Sequence, residues 1–197
     1  MSILEFLSTV QAPGPSRFKP QSLSPDLQEH LQQKLKVENL SKDEYLLKAG
    51  QTSKSVTFIE SGLLRCYYLT DSGKEVNRWF MREGDVVFSI NSFYTQKPGQ
   101  EYIQALEPAE LFYITYDELD EIYFKFPDFR TIGLQLTSKY YMLWDQKEYA
   151  VLAKPASERY EWLVTNHQEL LQRVADKHLA SWLGITDVTF SQIKSKR

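Results

Sequence analysis

The sequence predicts an α+β fold. An N-terminal antiparallel β-roll or jelly roll leads into one long helix, and a C-terminal helical domain built on a helix-turn-helix follows. Three observations predict this. Short apolar stretches separated by turns, most of them carrying glycine, fill residues 37–116. One uninterrupted helical pattern occupies residues 128–153. Residues 174–197 then read as helix, glycine, helix.

Composition sets the outer limits. A chain of 197 residues, 42% hydrophobic and 25% charged, can bury a real core in one large or two small domains. A pI near 5.7 argues against a protein that coats nucleic acid generally. No apolar run approaches the roughly 20 residues of a membrane helix. Ile3–Leu7 is too short for a signal-peptide core and has no basic leader, so no membrane role and a cytoplasmic location are expected. The single cysteine, Cys66, has no intrachain partner, and its strand-like setting Leu63–Leu69 predicts a buried thiol.

Residues 1–24 hold three prolines, a glycine and several serines and glutamines, which predicts a mobile arm. Ser24-Pro25-Asp26 opens a helix running to about Lys34, with Leu27, Leu31 and Leu35 on one face. Strands are expected at Tyr45–Leu47, Val56–Ile59, Leu63–Leu69, Val76–Met81, Val86–Phe88, Tyr102–Leu106 and Leu111–Thr115, with a polar loop through Gln100. A short helix over Tyr116–Phe126 closes the 25–126 domain at Pro127.

The 127–153 segment carries a roughly heptad stripe of Phe129, Ile132, Leu136, Tyr140 and Leu143. A helix of some 25 residues is about 38 Å long, more than a small barrel needs. The stripe is therefore expected also to pack against a second copy of the chain as the interface of a homodimer, with an intrachain core helix as the alternative. Lys154-Pro155 ends this helix and begins the 154–197 domain.

Within that domain, Leu179, Ala180 and Leu183 share helical spacing, Gly184 stops the helix, and Thr186 can N-cap a second one. Val188, Phe190 and Ile193 are expected to pack on the neighbouring helix. The remaining positions offer hydroxyls, an amide and basic groups, which suit phosphates and base edges. Residues 167–197 carry five Lys/Arg against three Asp/Glu, a net +2 in a chain of net −3. An ordinary packed helix pair would share the helix–glycine–helix pattern; the uneven charge favours a DNA-binding reading.

Barrel, long helix and helix-turn-helix together resemble the cyclic-AMP receptor/FNR (Crp/Fnr) superfamily of bacterial transcription regulators, in particular its Bacteroidetes-type members. The resemblance rests on Phe58–Arg65, Gly73-Lys74-Glu75, Glu83-Gly84-Asp85, Gln104–Glu107, Glu158-Arg159-Tyr160 and Ala180–Thr186, collinear from about Leu27 to Lys196. It implies a cyclic-nucleotide-binding-like roll, dimerisation through the long helix, and sequence-specific binding to double-stranded DNA, with RNA polymerase as a further partner. By alignment, Asp187, Val188 and Gln192 face bases, while Thr186, Thr189, Ser191, Lys194 and Lys196 hold phosphates. Gln192 stands where relatives commonly have arginine, which shifts the expected base from guanine toward adenine. The chain stops at Arg197, so no β-hairpin wing is expected after the recognition helix.

Other departures bear on the effector. Cyclic-AMP-binding members place a glutamate and an Arg-Ser pair in the loop after Gly-Asp. Here those positions fall near Ser89 and near Gly99-Gln100, and no Arg or Lys occurs in residues 98–124. A buried cyclic phosphate would lack its charge-assisted bonds, so cyclic AMP is not expected. One cysteine cannot hold an iron–sulfur cluster, and no histidine lies in the barrel to ligate haem. By alignment, Phe88, Ser89, Asn91, Ser92, Tyr94 and Gln104 surround the pocket, with Tyr140, Tyr141 and Trp144 approaching from the long helix. That set suits an unidentified neutral small-molecule effector, or a filled pocket with none.

No enzyme is expected. The barrel has no histidine for a cupin-type metal, and no nucleophile elbow or phosphate loop occurs. The acidic group Asp117, Glu118, Asp120 and Glu121 reads as a solvated helix face. The second functional expectation is a ligand-binding or protein-interaction module of the same fold whose helix-turn-helix has lost DNA binding.

Overall fold

A computed structural model describes residues 3–10 and 23–196. The elements in chain order are α1 (Ile3–Thr9), α2 (Pro25–Lys34), β1 (Lys36–Leu40), β2 (Tyr45–Leu47), β3 (Ser55–Ser61), β4 (Leu64–Leu69), β5 (Glu75–Met81), β6 (Val86–Val87), α3 (Ile90–Thr95), β7 (Tyr102–Ala105), β8 (Ala109–Thr115), α4 (Tyr116–Lys125), α5 (Pro127–Ala153), α6 (Ala156–Asn166), α7 (Leu170–Arg173), α8 (Asp176–Trp182) and α9 (Asp187–Lys194). The β-roll consists of two four-stranded sheets, ordered β1-β8-β3-β6 and β2-β7-β4-β5. The pairs β1–β8, β3–β8, β3–β6 and β2–β7 run antiparallel, and Phe58 stands opposite Phe112.

The chain forms two compact units, and they part elsewhere than at the expected 153/154 boundary. One unit takes in the described residues up to Cys66 together with Phe80–Tyr140. The other joins Tyr67–Trp79 to Tyr141 onward, so most of the β4–β5 hairpin belongs with the C-terminal helices.

In the first unit, helices cover the roll. Ser24 caps α2 by accepting the Leu27 amide at 3.3 Å, and Leu27 and Leu31 are fully buried. Phe6, Leu7, Phe58, Phe93, Ile122, Phe129 and Ile132 share one apolar core. The expected mobile arm is therefore corrected over Ile3–Val10, where an amphipathic helix docks Phe6, Leu7 and Val10 into that core. The rest of the arm, residues 1–2 and 11–22, lies outside the described residues.

The Ser61-Gly62 and Glu83-Gly84-Asp85 motifs prove to be one construction. Gly62 turns the chain at φ +101°, and an added Cβ would lie 2.6 Å from Ala109 Cα and from the Pro108 carbonyl oxygen. Its amide donates to Glu83 Oε1 at 3.0 Å. Gly84 donates to the Ile59 carbonyl, and the Ile59 amide donates to the Asp85 carbonyl. A glycine corner on β3 is thus clamped by the turn that precedes β6.

In the second unit, Trp182, Leu179, Ala180, Leu183 and Phe190 form the centre. Trp182 meets Trp79, Trp162 and His167 at ring-centroid distances of 5.8, 5.5 and 5.2 Å.

Candidate nucleic-acid interface and the β-roll cleft

Helices α8 and α9 are joined by a turn at Gly184, which adopts φ +65°. Arg159 of α6 holds that turn. Its Nη1 donates to the Leu183 carbonyl at 3.0 Å, and its Nε donates to the Lys154 carbonyl at 2.7 Å. The guanidinium therefore satisfies the exposed carbonyl end of α8 while anchoring the end of α5. The neighbouring Tyr160 ring meets Phe190 of α9 at 5.2 Å. These contacts give the Glu158-Arg159-Tyr160 motif a physical role as the brace of the helix pair.

A second brace escaped the sequence. β5 lies at the edge of its sheet, leaving backbone groups that need partners. Ser181 of α8 accepts the Asn77 amide at 3.0 Å and donates to the Glu75 carbonyl at 3.1 Å. Trp182 Nε1 donates to the Arg78 carbonyl at 3.0 Å. The only hint in the sequence was the placement of Ser181 and Trp182 on a helix whose other inward residues are aliphatic.

The outward face of α9 is well defined. Asp187, Val188, Ser191, Gln192, Ser195 and Lys196 are exposed, whereas Phe190 is buried and Ile193 half-buried. Val188 was expected to pack with Phe190, but it is 66% exposed. Two residues advance a helix by about 200°, so positions 188 and 190 cannot share a face. Thr186 is committed as N-cap, accepting the Thr189 amide at 3.1 Å, and its hydroxyl lies 2.8 Å from that of Thr189. Lys194 Nζ pairs with Asp176 at the start of α8, at 2.8 Å.

The expected effector pocket is rearranged. Ser89 and Ser92 are buried and bonded within the roll: the Ser89 amide donates to Ser53 Oγ, the Ser53 amide to Ser92 Oγ, and the Ser92 hydroxyl to the Lys97 carbonyl. A Cβ added at Gly99 would stand 3.1 Å from Ser92 Cβ and 3.2 Å from Ser89 Oγ. The place aligned with the phosphate-binding pair is thus closely packed against the chain's own serines. Gln104 accepts from Arg65 Nε and Nη2 at 3.0 and 2.7 Å. Asn91 and Tyr94 are exposed; the Phe88 ring meets those of Phe93 and Tyr94 edge-to-face. The roll does carry a cleft of about 490 Å³, lined by Leu47, Thr57, Val87, Phe88 and Ile103 with polar groups from Gln51–Ser55. Of the expected pocket residues, only Phe88 lines it.

The expected seam of α5 is likewise occupied within one chain. Phe129 and Ile132 lie in the core, and Leu136 packs against it. Tyr140 accepts the Val86 amide at 2.8 Å and donates to Asp85 Oδ1 at 3.2 Å. Burial raises the Asp85 carboxyl above its usual range against the pull of the Arg82 amide, Lys139 and Tyr140, and burial also pushes the Tyr140 phenol up. Leu143 is half-buried, whereas Tyr141 and Trp144 are exposed, with rings 6.0 Å apart. Among the described residues, no group of three or more His, Cys, Asp or Glu could hold a metal, and no helix is long and apolar enough to cross a membrane.

The chain is similar to known regulators and to one known domain family. The Cyclic nucleotide-binding domain family matches residues 37–126. The "Anaerobic regulatory protein" of Haemophilus influenzae is 28% identical over 166 residues, covering 78% of this chain and 63% of the relative. "Electron transport regulator A" of Shewanella oneidensis is also 28% identical, covering 78% and 65%. Residues 37–126 are thus similar to a cyclic nucleotide-binding domain, and both relatives, matched over 78% of this chain, are regulators by name. The chain spans a little under two thirds of the length of these relatives. A CooA variant from Carboxydothermus hydrogenoformans has a similar fold, with a TM-score of 0.68 at 20% identity, covering 89% of this chain and 79% of that one.

Proposed function

We propose that this chain is a homodimeric, sequence-specific DNA-binding transcription regulator of the Crp/Fnr superfamily whose β-roll does not bind cyclic AMP. The observation that carries the reading is the outward face of α9, polar except for Val188, on a helix pair braced by Arg159, Tyr160, Ser181 and Trp182. Rigid support of a recognition helix is what base readout requires. Gln192 reads adenine, Ser191 and Lys196 hold phosphates, and Lys194 joins them when DNA draws it from Asp176. The serine packing around Gly99 supports a roll that takes no cyclic nucleotide. An effector, where one exists, is a small molecule for the cleft beside Phe88. RNA polymerase is the further partner of a regulator that activates.

The dimer uses the solvent face of α5. Leu134, Tyr141, Tyr149 and Leu152 are exposed there, Leu152 by 76%, and an apolar stripe of that kind calls for cover. A second copy of the same helix provides it with two-fold symmetry. Leu152→Glu should shift the protein from dimer to monomer in analytical ultracentrifugation. An unchanged sedimentation coefficient would remove α5 from the interface.

Selection of bound duplexes from a random pool, at two salt concentrations, tests the whole reading. A two-fold motif with half-sites about one helical turn apart is expected. Gln192→Ala should relax preference at one position per half-site. The pairing of Lys194 with Asp176 and the small positive charge favour one rival: the same fold with DNA binding lost. Absence of any enriched motif at low salt would select that rival.

A further inference from the structure

Resting on the DNA-reading proposal, we infer that Val188 reads the C5-methyl group of a pyrimidine in the major groove. Val188 is the one apolar side chain on the outward face of α9, standing 66% exposed while Phe190 is fully buried. Its neighbours on that face are Asp187, Ser191, Gln192 and Ser195, all with polar side chains. Four residues separate it from Gln192, about 6 Å along the helix axis. At about 3.4 Å per base pair, the two side chains reach positions no more than two steps apart when the helix follows the groove.

The chemistry of the isopropyl group then narrows the partner. It neither donates nor accepts a hydrogen bond. The one apolar feature on a major-groove base edge is the pyrimidine C5-methyl. Set against a bare cytosine edge, Val188 would bury the N4 amino donor without a partner, which is unfavourable. Val188 thus selects in two ways: by covering a methyl and by penalising a stranded donor. Thymine and 5-methylcytosine both carry that methyl. Gln192, suited to adenine close by, places the contact in an A·T-containing half-site and makes thymine the natural partner.

The test uses the full chain and the motif recovered by selection. Each thymine of one half-site is replaced in turn by uracil, which lacks only the methyl. One position should lose about fourfold in affinity, the worth of one buried methyl group. At that position 5-methylcytosine should outbind cytosine by a similar factor. Val188→Ala, an exposed change to a good helix former, should erase both differences while circular dichroism stays unchanged. Equal affinity for thymine and uracil at every position would overturn the inference, as would a difference that persists in Val188→Ala. Methyl-indifferent binding to a recovered motif leaves the DNA-reading assignment standing. Failure to recover any motif removes that assignment and this inference together.

Discussion

The Tyr140 hydroxyl joins the long helix to the turn before β6, accepting the Val86 amide at 2.8 Å and donating to Asp85 Oδ1 at 3.2 Å. One hydroxyl satisfies two half-buried groups 54 and 55 residues away in sequence. Tyr140→Phe keeps the ring and removes both bonds. The expected cost is about 1–3 kcal/mol, because an amide and a carboxyl lose a partner out of bulk water. Urea denaturation of the variant beside the parent measures it. An unchanged midpoint would mean that water replaces the phenol there.

Arg159 is expected to matter beyond its charge. Arg159→Ala removes the donors to the Lys154 and Leu183 carbonyls and frees the end of α8. A loss of about 1–3 kcal/mol is expected in the C-terminal unit. Trp182 and Trp162, whose rings lie 5.5 Å apart, report the unfolding of that unit by fluorescence. Arg159→Lys should recover only part of the loss, since an ammonium lacks the planar fork that reaches both carbonyls.

Two glycines separate backbone strain from steric exclusion. Gly62 has φ +101° and meets the Ala109 backbone, whereas Gly50 has φ +87° with nothing within 4 Å of an added Cβ. Gly50→Ala should cost about 1–2 kcal/mol, the left-handed penalty alone. Gly62→Ala should cost at least about 3 kcal/mol or prevent soluble expression, because the β3–β4 corner must also move off β8. Thermal melts of both variants test the order, and equal losses would contradict it.

The start of α4 makes a prediction about pH. Thr115 and Glu118 form a capping box, and Lys36 Nζ lies 2.9 Å from Glu118. Burial alone would raise the Glu118 carboxyl, but the bonds from Lys36 and Thr115 outweigh it and hold it at about 2, below the ordinary 4.5. A depressed acid stabilises the fold when ionised. Its contribution is complete above pH 4.5 and is lost as pH falls toward 2. Glu118→Gln should therefore be less stable than the parent near neutrality, with the gap closing in acid. Thr115→Ala should cost about 1 kcal/mol at neutral pH through the lost cap. Melting curves across that range decide both.

The seven expected strands, the α2, α4 and α5 helices and the helix-turn-helix all stand where the residues indicated. Their signals are local: Ser24-Pro25 at a helix start, glycine at the strand corners, Pro127 between two helices. What went unrecognised was also local but weakly marked. The five-residue β1 carries little alternation, α3 sits in a stretch read as loop, and the four-residue α7 is a single turn. α1 was hidden because the prolines and glutamines that follow it set the composition of the whole arm.

Site residues were harder, because a helix pattern says which residues share a face and not what covers that face. Phe129, Ile132 and Leu136 do form one stripe, yet it closes the protomer's own core where α1, α3 and α4 supply the partner atoms. Ser89 and Ser92 are tied into the roll, bonding to Ser53 and to the Lys97 carbonyl, and the cleft that remains beside Phe88 is lined mainly by other residues. Alignment puts residues at a pocket; packing determines whether space is left there.

The sequence by itself determined the fold class, the order of elements and the helix–glycine–helix at the end, since periodicity, caps and turns depend on residues a few positions apart. Tertiary structure decided which face of α5 stays bare, which residues of α9 look outward, and how α8 is held. Those outcomes depend on groups far apart in the chain, such as Ser181 with the Glu75 carbonyl, 106 positions away, and Tyr140 with Asp85, 55 away. Edge amides and carbonyls on β5 take the donor or acceptor that the fold brings near, and no local pattern encodes that meeting.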